Sequence, residues 1–138
     1  MKYFLAIIGF SVFTGLLHAQ QAEGWNLIQS ENGVEIYSKE VVCNPAGNDV
    51  QAEVILLKVV NTTSQKVRVS WHYQIAYDGV CRTCSNDEYR IELELGPNQT
   101  TENTCNYNNR LIVHKRFLNK TNIAEFTSFA LAHLQVLK

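Results

Sequence analysis

Between Lys66 and Tyr77 the chain alternates with a period of two. Val67, Val69, Trp71, Tyr73, Ile75 and Tyr77 fall on one face, and Lys66, Arg68, Ser70, His72, Gln74 and Ala76 on the other. Successive side chains of a strand point to opposite faces, so this pattern predicts a long half-buried β-strand. Tyr89, Ile91, Leu93 and Leu95 repeat it against Arg90, Glu92 and Glu94. Gly96-Pro97-Asn98 ends that second run, since proline cannot donate to a ladder and glycine and asparagine accept turn geometry. The two runs are expected to pair antiparallel through residues 78–88.

Ala52 to Val60 is apolar on both faces and reads as a strand central to the core, with residues 61–65 as the turn leading on to Lys66. Gly33 to Val42 predicts a first strand, with Val34 and Ile36 on one face and Tyr37 and Val41 on the other. Leu111 to Leu118 predicts another, interrupted by Lys115 and Arg116. The last segment admits two readings. Ile123, Phe126, Ala130, Leu134 and Leu137 fall at helical spacing behind a possible Asn122/Glu125 capping box. Phe129–Leu137 reads equally as a closing strand, which is favoured because the rest of the chain is sheet and an open edge needs covering. Six or seven short strands with regular turns predict an all-β fold, a single antiparallel β-sandwich with Trp71 filling the space between the sheets.

The first twenty residues set the compartment. Lys2 precedes an apolar run from Tyr3 to Leu17, and His18-Ala19-Gln20 offers a small residue before polar sequence. This is the pattern of a secretory signal peptide over residues 1–20, too short an apolar run for a spanning helix of about 20 residues. Residues 21–138 then form one domain. Loss of Lys2 leaves eleven basic and thirteen acidic residues, a net charge of −2. The signs are mixed, so nucleic acid and anionic membrane lack the basic stripe they need.

Export places Cys43, Cys81, Cys84 and Cys105 in an oxidising compartment, where they are expected to form disulfides. Following the direction of each strand, with a short strand from about Thr100 leading back to Cys105, puts all four at one rim of the sandwich. The favoured pairing joins the Cys81–Cys84 loop to Cys105, with the remaining loop cysteine reaching Cys43. Two sharper readings compete. Cys81-Arg82-Thr83-Cys84 has the spacing of a zinc knuckle, but Cys43 and Cys105 are isolated and form no second knuckle. The same pair reads as a redox site with Arg82 favouring the thiolate, although redox pairs usually start a helix and Val80–Asp87 reads as a hairpin loop.

Little else in the chain suggests chemistry. His72 lies on the polar face of its strand and is expected to face solvent; His114 and His133 are the other mature histidines. Asp78, Asp87, Glu88, Glu92 and Glu94 surround one hairpin and read as solvated carboxylates. Asn61-Thr62-Thr63, Asn98-Gln99-Thr100 and Asn119-Lys120-Thr121 match the glycan-acceptor pattern, each in a predicted turn. No catalytic set, cofactor site or metal site emerges.

The leader's His-Ala-Gln ending is similar to export signals of Bacteroidota. Trp25-x-Leu27, Asn32-Gly33-Val34-Glu35-Ile36-Tyr37, Leu57-Lys58-Val59-Val60-Asn61, Val69-Ser70-Trp71 and the Cys81/Cys84/Cys105 set resemble small uncharacterised exported proteins of that group with an immunoglobulin-like sandwich. That resemblance implies a fold and no activity. Gly24-Trp25-Asn26-Leu27 to Ile36-Tyr37 also looks like the start of START-type lipid-binding domains, which would require a helical Ile123–Leu137. The sequence therefore implies a secreted or periplasmic, non-catalytic binding or structural module, stapled by disulfides at one end, with a protein as its expected partner. A lipid or ligand carrier of helix-grip fold, or a cysteine-based metal or redox site, is the alternative.

Overall fold

The computed structural model describes residues 24–44 and 49–138, so the predicted leader lies outside the described residues. Among the described residues nine strands form two antiparallel sheets. They are β1 (Asn26–Glu31), β2 (Val34–Cys43), β3 (Ala52–Asn61), β4 (Val67–Tyr77), β5 (Val80–Cys81), β6 (Arg90–Leu95), β7 (Thr100–Glu102), β8 (Ile112–Phe117) and β9 (Phe126–Leu137). In the first sheet β3 is central: β2 and then β1 lie on one side, and β7 and β8 share its other edge. In the second, β4 has β9 along one edge and β6 and β5 along the other. The chain crosses between sheets three times, after β3, after β6 and after β8.

The alternation in β4 does what its period requires. Val67, Val69, Trp71, Tyr73 and Ile75 are buried and meet Val34, Ile36, Ile55, Leu57, Val59 and Val113 of the first sheet in one core. Ile91 and Leu95 of β6 complete it, with β6 paired to β4 as expected from Val67↔Leu95 to His72↔Arg90. Trp71 is 1% exposed and meets the Tyr73 ring edge-on at 6.0 Å. Two tyrosines tie the layers together through their polar ends. Tyr73 donates to the Arg110 carbonyl at 3.1 Å and Tyr77 to the His114 carbonyl at 2.5 Å.

Several expectations are corrected. The strand count exceeds six or seven because β1 and β5 are added, the second of only two residues; the short strand expected from about Thr100 is β7. Asn32-Gly33 is a two-residue hairpin turn, both residues at positive φ (47° and 81°), joining β1 to β2. Asp78-Gly79 does the same between β4 and β5, at 50° and 73°. The last segment is strand, the favoured of its two readings, and starts earlier than Phe129: β9 pairs with β4 from Arg68↔Leu137 to Tyr77↔Phe126. Asn122 caps no helix; its amide accepts from the Phe117 N–H and donates to the Phe117 carbonyl, both at 2.8 Å. The helical turn Asp87–Tyr89 is the sole helical element among the described residues, so the long C-terminal helix of a helix-grip fold is replaced by sheet.

The cysteines pair differently from the expectation. Cys43 bonds to Cys105 and Cys81 to Cys84. The strand directions place the cysteines at similar heights, but they belong to different layers. Cys43 shares its face of β2 with Val41 and Tyr37, pointing away from the main core. There Cys43, Ala52, Val54 and Leu56 form a second apolar cluster, covered by Trp25, Val41, Ile112 and Cys105. The Cys43–Cys105 bridge therefore fastens the β7–β8 loop over the outer face of the first sheet. Cys81 instead pairs with Ala76 at the edge of the second sheet.

Candidate functional site

The region with the most unusual surface is the end of the molecule where residues 118–125 cross from β8 to β9. Its shape begins with a bulge. Arg116 faces Glu53 and His114 faces Val54, so Lys115 is an extra residue in β8. That irregularity lets two consecutive side chains reach the same carboxylate. Lys115 Nζ lies 2.8 Å from both Glu40 Oε2 and Glu53 Oε1, and Arg116 Nε lies 2.7 Å from Glu53 Oε2. Lys115 and Glu53 are mostly covered, with side chains 17% and 21% exposed, while Glu40 and Arg116 reach water. Lys115 and Arg116 hold the Glu53 carboxyl below its usual range, and Glu40 and Glu53 raise the Lys115 ammonium above its own.

The crossing loop is tied at both ends. Asn119 accepts from the Gln51 N–H at 3.0 Å and donates to the Asp49 carbonyl. At its far end Asp78 accepts from the Glu125 N–H at 2.9 Å, and the Asp78 N–H donates to the Glu125 carbonyl at 2.8 Å. Ile123 stands at the tip, fully exposed. On one side of it is a cleft of about 770 Å³, walled by Glu53, Lys115 and Arg116 and by Asp78, Glu125 and Phe126. On the other is a smaller apolar hollow of about 270 Å³ between Ile123 and Phe117, with Tyr77 and His114 lining it. The His114 ring centroid lies 4.4 Å from that of Phe117, and burial lowers the imidazole's pKa. Phe117, Leu118 and Ile123 are all exposed around this end, an apolar surface beside a charged one.

No family model matches this chain, and neither a curated protein nor a solved structure is detectably similar to it. The function must therefore be argued from the side chains.

The residues singled out in the sequence are scattered. His72 is half-buried, its Nε2 2.9 Å from the Thr83 carbonyl, so it holds the Cys81–Cys84 loop instead of facing solvent. His133 occupies a bulge of β9 at φ 55°. Glu94 pairs with Lys66 and Arg68, Glu92 with Arg90, and Asp78 with the crossing loop, so the hairpin carboxylates do not converge. Among the described residues no group of three or more His, Cys, Asp or Glu side chains is placed to hold a metal, and no helix is long and apolar enough to cross a membrane.

The three asparagine triplets also separate. Asn61 is fully buried: its Nδ2 donates to the Gln65 and Gly96 carbonyls at 2.7 and 2.8 Å, and its Oδ1 accepts from the Thr63 N–H and hydroxyl. It is a structural knot between two crossings and offers no free amide for modification. Asn98 is exposed in its turn at φ 54°, and Asn119 is committed to residues 49 and 51. What sequence reasoning missed is the rim itself. Phe117 and Leu118 end a predicted strand and Ile123 opens a helical spacing that the structure does not use, so the one signal available was a pair of adjacent cations inside a strand pattern.

The charge cluster makes a testable statement about pH. A depressed carboxyl contributes stability that is complete above its unfolded pKa and is lost as pH falls through the folded one. The raised Lys115 contributes stability that is complete below its unfolded pKa and is lost only as pH rises through the folded value. The thermal unfolding midpoint of the wild-type chain should therefore fall progressively below about pH 5. Glu53→Gln should be less stable at neutral pH and lose less on acidification; parallel curves for the two proteins would remove Glu53 as the titrating group.

Proposed function

We propose that the protein is an exported, non-catalytic module with an immunoglobulin-like sandwich that binds another protein through the rim around residues 117–123. The observation that carries this reading is the set of apolar side chains left in water there, Phe117, Leu118 and Ile123, next to a cleft walled by paired charges. Contiguous exposed apolar surface edged by polar groups is the usual anatomy of a contact surface. The 270 Å³ hollow suits one apolar side chain of a partner, and the Glu40–Lys115–Glu53–Arg116 network suits polar contacts beside it. Its carboxylates are neutralised by cations, an arrangement that favours recognition over proton transfer. Secretion to the periplasm or beyond is supported by the two disulfides and by the leader-like first twenty residues. The binding reading requires no cofactor.

A photo-crosslinking residue placed at Ile123, compared with one at Gln135 on the far face of β9, tests the reading in the native host envelope. A discrete protein adduct from position 123, absent from 135 and lost in a Phe117→Asp background, is the expected result. Equal labelling from both positions, or none from 123, would overturn it. Phe117→Asp and the crosslinker variants are checked for the wild-type circular dichroism spectrum first, so that misfolding is not read as lost binding.

A further inference from the structure

Cys81 and Cys84 close a ring of four residues that the fold holds in place by other means. Thr83, between them, is 3% exposed. Its hydroxyl donates to the Tyr73 carbonyl at 2.7 Å and accepts from the Ile75 N–H at 2.8 Å, replacing ladder bonds that β4 would otherwise lack beyond the end of β6. Its carbonyl meets His72 Nε2 at 2.9 Å and accepts from the Asn86 N–H at 3.1 Å. The Arg82 N–H donates to the Ile75 carbonyl at 2.8 Å. All of these anchors lie between or beside the two sulfurs and none is made by sulfur, so the loop can keep its path with the disulfide open.

The two cysteines differ in access. Cys84 is exposed, whereas Cys81 is half-buried, its Sγ 4.0 Å from the Thr83 hydroxyl. In the other bridge Cys43 is fully buried beneath the β7–β8 loop and Cys105 is half-buried, so neither of its cysteines is as exposed as Cys84. Attack on a disulfide requires a thiolate to approach one sulfur along the S–S axis, so access selects both the bridge and the sulfur.

We propose that Cys81–Cys84 is a thiol–disulfide exchange site that oxidises a dithiol on another protein, with Cys84 as the attacked sulfur. A substrate thiolate bonds to Cys84 Sγ as the Cys81–Cys84 bond breaks. The electron pair leaves on Cys81, which takes up the proton that the substrate thiol released to solvent and can donate it to the Thr83 oxygen. The second substrate thiolate attacks the substrate sulfur of the mixed disulfide and releases Cys84. The substrate has gained a disulfide and lost two protons and two electrons; Cys81 and Cys84 have gained them as two thiols. A small-molecule disulfide of the glutathione class restores the bridge by the same steps in reverse. This exchange goes beyond the binding role proposed above: it adds redox chemistry at a second site and does not depend on the rim contact.

The test uses the full-length mature protein in its oxidised form and a synthetic peptide carrying two reduced cysteines. Samples are quenched with an alkylating agent and mapped by mass spectrometry, with circular dichroism followed in parallel. Cys81 and Cys84 are expected to become alkylated roughly tenfold or more faster than Cys43 and Cys105, with one equivalent of peptide oxidised and the spectrum unchanged. In single variants offered the oxidised peptide, Cys81→Ser should form a mixed disulfide at Cys84 roughly tenfold faster than Cys84→Ser forms one at Cys81. Resistance of the Cys81–Cys84 bridge in folded protein would overturn the proposal, as would loss of the folded spectrum on its reduction. A faster adduct at Cys81 would overturn the assignment of the attacked sulfur.

Discussion

Replacing Cys43 and Cys105 together with alanine is expected to lower the free energy of unfolding by about 4 kcal/mol, the chain-entropy value for a loop of this length. The bridge spans 62 positions, from the end of β2 to the β7–β8 loop, and so removes a large part of the unfolded chain's freedom. It also lies over Ala52, Val54 and Leu56, an apolar cluster with no second sheet to cover it. Opening it loosens that lid as well as lengthening the free chain. The Cys81–Cys84 bridge spans three positions, and the same entropic argument gives about 2 kcal/mol at most for so short a ring. Urea unfolding of the two double-alanine variants checks the order directly. Equal losses, or a larger loss from the short ring, would mean that the β7–β8 loop is held by contacts other than its disulfide. Asn103 is the obvious competitor, since it is buried with its amide bonded to residues 106 and 109.

Trp71→Ala should cost about 3–5 kcal/mol, a large share of the stability that a domain of this size has to lose. Trp71 is the largest fully buried side chain and lies mid-strand in β4, which contacts β6 on one edge and β9 on the other. Removing the indole opens a void between the sheets and takes away the edge-on partner of Tyr73. Trp71→Phe, which keeps a ring there, should lose distinctly less. By contrast Ile123→Ala, at a side chain wholly in water, should stay within about 0.5 kcal/mol of wild type. Denaturant midpoints for the three proteins decide the matter: a Trp71→Ala loss no larger than that of Ile123→Ala would place the core elsewhere.

The legible parts of the fold were those where burial on one face leaves a period in the sequence. β4 and β6 alternate, β3 is apolar on both faces because it is central, and the pairing of β4 with β6 follows from these patterns alone. β1 was missed for a physical reason visible in retrospect. Its side chains are nearly all exposed, so it carries no periodic signal, and the Asn32-Gly33 turn that announces it was read as the beginning of β2. The cysteine pairing failed because strand direction fixes height along a sandwich but not the layer. The side-chain parity of β2 puts Cys43 with Tyr37 and Val41 on one face. Which segment covers that face depends on β7 joining the first sheet, and three residues of strand leave no trace of that choice in the sequence. The rim was illegible for a similar reason. Its apolar groups sit in a crossing loop, and its charge cluster is assembled by a bulge that joins Glu53 to two cations 62 and 63 positions away.

The three crossings between sheets carry a consequence for the time course of folding. β3 is flanked in its own sheet by β8, so that Ala52 lies opposite Phe117, and β4 by β9, so that Arg68 lies opposite Leu137. Each sheet is thus closed by a strand that arrives late in the chain, after the backbone has already passed through the other sheet. Neither layer is a finished local unit while the remainder is still a coil. Loop closure over these separations comes before the contacts that reward it, which puts the chain among the slow, high-contact-order folders of the millisecond-to-second range. The hairpins at Asn32-Gly33 and Asp78-Gly79 are the short-range pairings able to form first, and the two layers must then assemble together.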